Sequence, residues 1–146
     1  MTSLFARVTV AAVVERDGRF LLVRERTRAG VALNQPAGHW EYGESLIQAV
    51  KRETWEETGW HFEPLGLVGV YQWEVPDPRE TFLRFCFYGQ CTAYDEHACL
   101  DEGIIEAVWL FPQQLAGQRL RSPLVESAIR DFLNGKRYPL EILREL

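Results

Sequence analysis

Cysteine is scarce in this chain, and so are methionine, long apolar runs and positive charge. The three cysteines, Cys86, Cys91 and Cys99, are an odd number in one short stretch. They indicate no disulfide framework, and a reducing cytoplasm fits them best. A zinc site from Cys91, His97 and Cys99 is conceivable, but without a Cys-x-x-Cys pair the plainer reading is buried, inert thiols. The longest mostly apolar stretch, Leu4 to Val14, is too short to span a bilayer. It lacks a basic leader and is closed by Glu15, Arg16 and an Asp17-Gly18 turn, so it is read as a strand and no membrane partner is expected. Lys and Arg number 16 against 21 Asp and Glu, a net charge of −5. That balance argues against nucleic-acid polymers as partners, so any phosphate must be met locally. There is no P-loop, no Gly-x-Gly-x-x-Gly run, no helix-turn-helix and no internal repeat, which removes the kinase, dinucleotide-binding and nucleic-acid-binding readings.

What is present is enough for a core. With 146 residues, 47% of them hydrophobic, the chain is expected to form one domain over residues 1–146. Alternation over Arg7 to Val14, an Asp17-Gly18 turn and the run Arg19 to Arg24 predict a β-hairpin. A loop rich in turn residues, Asn34 to Gly38, follows. Gly43-Glu44-Ser45 then leads into a helix whose Leu46, Ile47, Val50 and Thr54 share a face, and Gly59 ends it as a left-handed cap. Leu65 to Trp73, Thr81 to Tyr94 and Ala107 to Phe111 read as further strands, the first two parted by a Pro76-Asp77-Pro78 turn. Ser122 as N-cap and Pro123 at the first helical position open a second amphipathic helix that stops at Gly135. The order predicts a layered α/β domain with a mixed sheet. The tail from Tyr138 to Leu146 is ambiguous.

On the first helix, Glu53, Glu56 and Glu57 stand at i, i+3 and i+4 and share one face. They also lie in its last turn, where the helix dipole disfavours acids by about 0.3 to 1 kcal/mol each at exposed sites. A Glu-rich surface ordinarily means a solvated face. A divalent cation bridging the carboxylates offsets the repulsion more directly, and hard oxygen ligands select magnesium or manganese over zinc.

The wider spacing decides between these. Gly38, five residues, Glu44, seven residues, Arg52-Glu53, then Glu56-Glu57 and Gly59 resemble the Nudix box, here residues 38–60, at all of its fixed positions. Thr54 fills a slot that is usually aliphatic and should weaken packing slightly. The resemblance implies a Nudix fold, an α/β/α sandwich with a mixed sheet, and magnesium-dependent hydrolysis of a diphosphate, with manganese able to substitute. It also implies roles: Glu56 and Glu57 as metal ligands, Glu53 as ligand or general base, Arg52 as the residue orienting a neighbouring glutamate, Glu44 as an outer metal residue, and the Gly38 carbonyl as a further oxygen. A late-loop acid often completes such sites. Of Asp101, Glu102 and Glu106, Glu102 is the candidate preferred here.

The box reads the diphosphate, and the flanks must read what is attached to it. Asn34 to His39, Tyr71-Gln72-Trp73, Phe82 to Phe85, Leu120 to Val125 and Arg137 to Glu141 resemble one bacterial subfamily, the NudJ-type phosphatases. This likeness implies a cytoplasmic monomer that converts hydroxymethylpyrimidine pyrophosphate and thiamine pyrophosphate to monophosphates and orthophosphate, and that also acts on nucleoside di- and triphosphates. Gln72 offers an amide to a ring edge and Trp73 a plane for stacking. Arg84, a cation in an apolar strand, pairs with a buried acid or faces phosphate. Gln35 contacts substrate or holds its turn, and Arg24 and Arg26 share a strand face that could meet diphosphate oxygens. The alternatives are a nucleotide-pool Nudix enzyme acting on a purine triphosphate or sugar nucleotide, and a Nudix-like module that senses a metabolite without cleaving it.

Overall fold

The computed structural model describes residues 5–146; Leu4, where the first apolar run begins, lies outside them. The opening hairpin forms as expected. Strands β1 (Ala6–Arg16) and β2 (Arg19–Thr27) join through Asp17 and Gly18, both at positive φ, 52° and 81°, the geometry an Asp-Gly turn supplies. The two strands pair only next to the turn, Glu15 with Phe20 and Arg16 with Arg19. Beyond it they part. β2 pairs with β3 (Gly30–Asn34) and β7 (Ile104–Leu110), and β1 runs antiparallel to β4 (Ala37–His39) and parallel to β6 (Arg79–Tyr94). β5 (Trp60–Pro76) lies against β6, with β8 (Tyr138–Pro139) outside it.

Helix α1 (Leu46–Thr58) starts at Ser45, whose hydroxyl accepts the Gln48 N–H while the Gln48 side chain returns to the Ser45 N–H, a reciprocal cap that satisfies two orphan donors. It ends at Gly59, φ 78°, whose N–H reaches the Trp55 carbonyl. Helix α2 (Pro123–Leu133) starts at Ser122, as expected. The two helices cover opposite faces of the sheet. Val10, Ala12 and Val14 of β1 pack with Ala49 and Val50 of α1, and the alternate residues Ala11 and Val13 pack with Val125, Ala128 and Ile129 of α2. This is the α/β/α sandwich with a mixed sheet, since β1 is apolar on both faces and must be covered twice.

Three expectations change. The stretch read as a loop around Asn34 to Gly38 contains the end of β3 and the short edge strand β4. β5 also starts at Trp60 rather than Leu65, carrying Pro64, Gly66 and Gly69 through register shifts. Gly66 and Gly89 are places of close approach: a Cβ on Gly66 would meet the Tyr88 ring at 2.6 Å, and one on Gly89 the Glu63 carbonyl at 2.1 Å. These glycines let the paired strands close on each other. Thr54 is fully buried, and its hydroxyl donates to the Val50 carbonyl at 2.7 Å, so its polar group is satisfied. Cys86 and Cys91 are buried, whereas Cys99 is exposed, contrary to the reading of three buried thiols.

Candidate functional site

The β4 edge is only three residues wide, and this lets the glutamates of α1 reach around it. Glu57 turns towards β4 and accepts the Ala37 N–H at 2.9 Å. Glu53 occupies the space a side chain would fill at position 38, where an added Cβ would meet the Glu53 carboxyl at 2.1 Å. Gly38 is therefore required by contact, because only a residue without a Cβ leaves room for Glu53. Both residues are 8% exposed. Burial pushes Glu53 up to about 7, against the pull of Arg52, and Glu57 up to about 8, against the Ala37 N–H.

Arg52 organises the remaining charge. Its Nε and Nη2 hold both oxygens of Glu44 at 3.0 and 2.7 Å, and its Nη1 donates to Glu53 at 2.8 Å and to Glu56 at 3.2 Å. Nη2 also reaches the His39 carbonyl at 3.1 Å. These hydrogen bonds hold Glu44 below the usual carboxylate range. The planar fork serves two sides at once, which a lysine could not do.

Three carboxylates, Glu53, Glu56 and Asp101, each present an oxygen within 4.8 Å of the others. Among the described residues this is the one such group of three or more acidic, His or Cys side chains, and an all-oxygen set suits a hard divalent cation. The trio differs from the expected one. Glu57 is engaged with β4, and the late loop supplies Asp101, itself exposed, in place of the preferred Glu102. A backbone bond fixes this choice: the Asp101 N–H donates to the Glu56 carbonyl at 2.9 Å, one of the last-turn carbonyls that a helix leaves without a partner. Glu106 is held instead by Arg24, at 3.1 Å.

A cleft of about 550 Å³ is lined by Gly38, Glu53 and Glu57 and by Trp73, Val75 and Phe82, so that Glu53 is the one member of the trio that faces it. Trp73 stacks on Phe82, ring centroids 5.4 Å apart and planes at 27°. Arg84 lines the cleft too, 8% exposed, its Nε donating to the Thr9 hydroxyl at 3.3 Å. His39 stands beside it, and burial together with Arg7 and Arg84 holds His39 below the usual imidazole range.

Other expected contacts lie elsewhere. Gln72 is exposed and donates to Glu74, because the two-residue period that turns Trp73 into the cleft turns Gln72 away. Gln35 is buried and donates to the Val125 carbonyl at 2.8 Å, tying the turn to α2. Glu25, not its neighbours Arg24 and Arg26, lines the cleft, where it meets Asn34 at 3.3 Å and Arg121 at 3.6 Å. Asn34 and Arg121 lay in flanks already singled out while Glu25 carried no signal, and that the three meet could not be read from sequence, since it depends on how β2, β3 and the segment before α2 are packed.

A model of the NUDIX domain matches residues 5–132. The chain is 41% identical over 137 residues to the Phosphatase NudJ of Escherichia coli strain K12 and to that of Shigella flexneri, spanning 93% of this chain and 89% of each relative. Among solved structures, a NUDIX hydrolase from Nitrosomonas europaea superposes with a TM-score of 0.94 at 46% identity, covering 97% of this chain and 98% of that one. A MutT NUDIX hydrolase from Burkholderia pseudomallei shares the fold, at a TM-score of 0.76 and 23% identity.

Proposed function

The chain belongs to the Nudix hydrolases, and from that premise we propose that it is a magnesium-dependent phosphatase of small aromatic diphosphates. Its substrates in this reading are hydroxymethylpyrimidine pyrophosphate and thiamine pyrophosphate, cleaved to monophosphate and orthophosphate, with nucleoside di- and triphosphates as further substrates. One observation carries it. Glu53 belongs both to the carboxylate group with Glu56 and Asp101 and to the lining of a cleft that also carries the stacked rings of Trp73 and Phe82.

Glu53, Glu56 and Asp101 would hold the cation, magnesium or in its place manganese, with the Gly38 carbonyl as a further oxygen. When bound, such a cation neutralises phosphate charge and makes water a better nucleophile. The chain's own groups do the rest. Arg52 fixes the rotamers of Glu53 and Glu56 by shared hydrogen bonds. Glu53 and Glu57, buried beside β4, are the carboxylates that this reading assigns to accept a proton from attacking water. The Trp73 and Phe82 rings offer a face for a pyrimidine or another flat ring. Among the described residues no helix is long and apolar enough to cross a membrane. The same reading has the enzyme act on small molecules as a cytoplasmic monomer, the compartment that its cysteine usage favours.

The test is phosphate release with magnesium over hydroxymethylpyrimidine pyrophosphate, thiamine pyrophosphate and the common nucleotides, with Glu57→Gln as control. Orthophosphate from the pyrimidine diphosphate, abolished in the variant, is the expected result. Pyrophosphate release confined to nucleotides would overturn the substrate assignment while keeping the chemistry of the family.

A further inference from the structure

Across β5, β6 and β1, successive rungs on the cleft side of the sheet carry different chemistry. Trp73 and Phe82 lie opposite one another on the first rung, and Arg84 pairs with Thr9 on the second. The third rung ends in Ala37, the residue whose N–H donates to Glu57 and whose neighbour Gly38 makes room for Glu53. Rungs two residues apart are separated by about 6.5 Å. The order along the cleft is therefore aromatic plane, guanidinium, carboxylates.

Arg84 is out of balance in this row. It is 8% exposed, it spends its Nε on a neutral hydroxyl, and its Nη1 has no hydrogen-bond partner among the described residues. Glu25 and Glu57 act on it only through space. A guanidinium stays protonated under such conditions, and a buried cation left without a counter-ion is costly. Such an unmet group is expected where a ligand completes it.

We propose that Arg84 is a specificity-determining residue that takes the phosphoryl group joining the stacked ring to the phosphoryl group at the carboxylates. The substrate class this defines is a flat aromatic ring carrying a diphosphate through a short link, and Arg84 keeps hold of the ring monophosphate that remains after hydrolysis. The inference rests on the phosphatase reading above, yet it concerns binding by the chain itself, so it is tested with no metal and no turnover.

The experiment is an NMR titration in EDTA with cytidine monophosphate and cytidine as probes, on the full chain and on Arg84→Met, Arg84→Lys and Trp73→Ala. The wild type is expected to bind the monophosphate at least about tenfold more tightly than the nucleoside, as a charge-assisted forked contact provides. Arg84→Met should erase that preference while leaving cytidine binding in place, Arg84→Lys should keep part of it, and Trp73→Ala should weaken both probes alike. Arg84→Met should also melt at or above the wild-type temperature, because it removes an uncompensated buried charge. A preference that survives in Arg84→Met, or that is absent from the wild type, overturns the proposal. So does an Arg84→Met protein that fails to fold while Arg84→Lys binds both probes as the wild type does. Loss of hydrolysis with an intact binding preference would count against the phosphatase reading alone.

Discussion

Arg52 answers a question the helix poses at the level of single residues: how three glutamates can stand in one turn at the unfavourable end of the dipole. Its fork satisfies Glu44 on one side and is shared by Glu53 and Glu56 on the other. Glu57 receives no such help. It has one backbone N–H and is otherwise desolvated, and it rises to about 8, with Glu53 at about 7. Without metal these shifts set a pH dependence of stability. Both folded-state values lie above the ordinary 4.5, so between roughly pH 4.5 and 8 the folded chain binds more protons than the unfolded one, and stability falls as pH rises. In EDTA the melting temperature should drop from pH 5 to pH 8, and Glu57→Gln should flatten the slope because it cannot ionise. Magnesium should oppose the drop, since a cation bound only by the folded state stabilises it. A melting temperature that climbs over this range in EDTA would contradict the burial-driven shifts.

The elements divide into those whose sequence carries their own signal and those that borrow it from neighbours. Helix α1 is of the first kind, with its cap, its apolar face and its Gly59 terminus all visible within fifteen residues. Gly59 is needed for its φ of 78° and because a Cβ there would come within 3.1 Å of the Asp95 carbonyl. Gly59→Ala is therefore expected to cost about 1–2 kcal/mol, seen as a melting temperature lower by several degrees, whereas an unchanged melt would mean that the cap is dispensable. Strand β4 is of the second kind. Ala-Gly-His after a proline has little strand preference, and it is extended only because β1 offers an unpaired edge. β5 was half legible, since Pro64, Gly66 and Gly69 read as breakers, while in the sheet they sit at register shifts and close contacts. Gln72 and Trp73 show the same limit. Their strand was visible from sequence, but which of the two faces the cleft depends on a register that a one-residue slip would invert.

At the scale of the whole molecule, the part of the site encoded on one helix could be read from spacing, and the part assembled from distant segments could not. The late-loop acid is the clearest case. Asp101, Glu102 and Glu106 are equivalent by composition, and only the docking of the loop on α1 separates them. Asp101, although exposed, is brought beside Glu53 and Glu56 by its N–H bond to the Glu56 carbonyl, Glu102 stands outside that group, and Glu106 is engaged by Arg24 across β2 and β7. If the Glu53–Glu56–Asp101 group holds the cation, Asp101→Asn should weaken magnesium affinity and turnover by at least about tenfold, as loss of a metal-supporting group does. The fold should survive, because the backbone bond that anchors the loop does not use the Asp101 side chain. Glu102→Gln should leave both quantities unchanged, and Glu106→Gln should act weakly if at all, through Arg24. Magnesium titration followed by melting temperature separates affinity from turnover in each variant. A Glu102→Gln protein impaired as Asp101→Asn is expected to be would mean that the loop docks differently on α1 when the cation is bound, and that Asp101 is not the acid that serves the site.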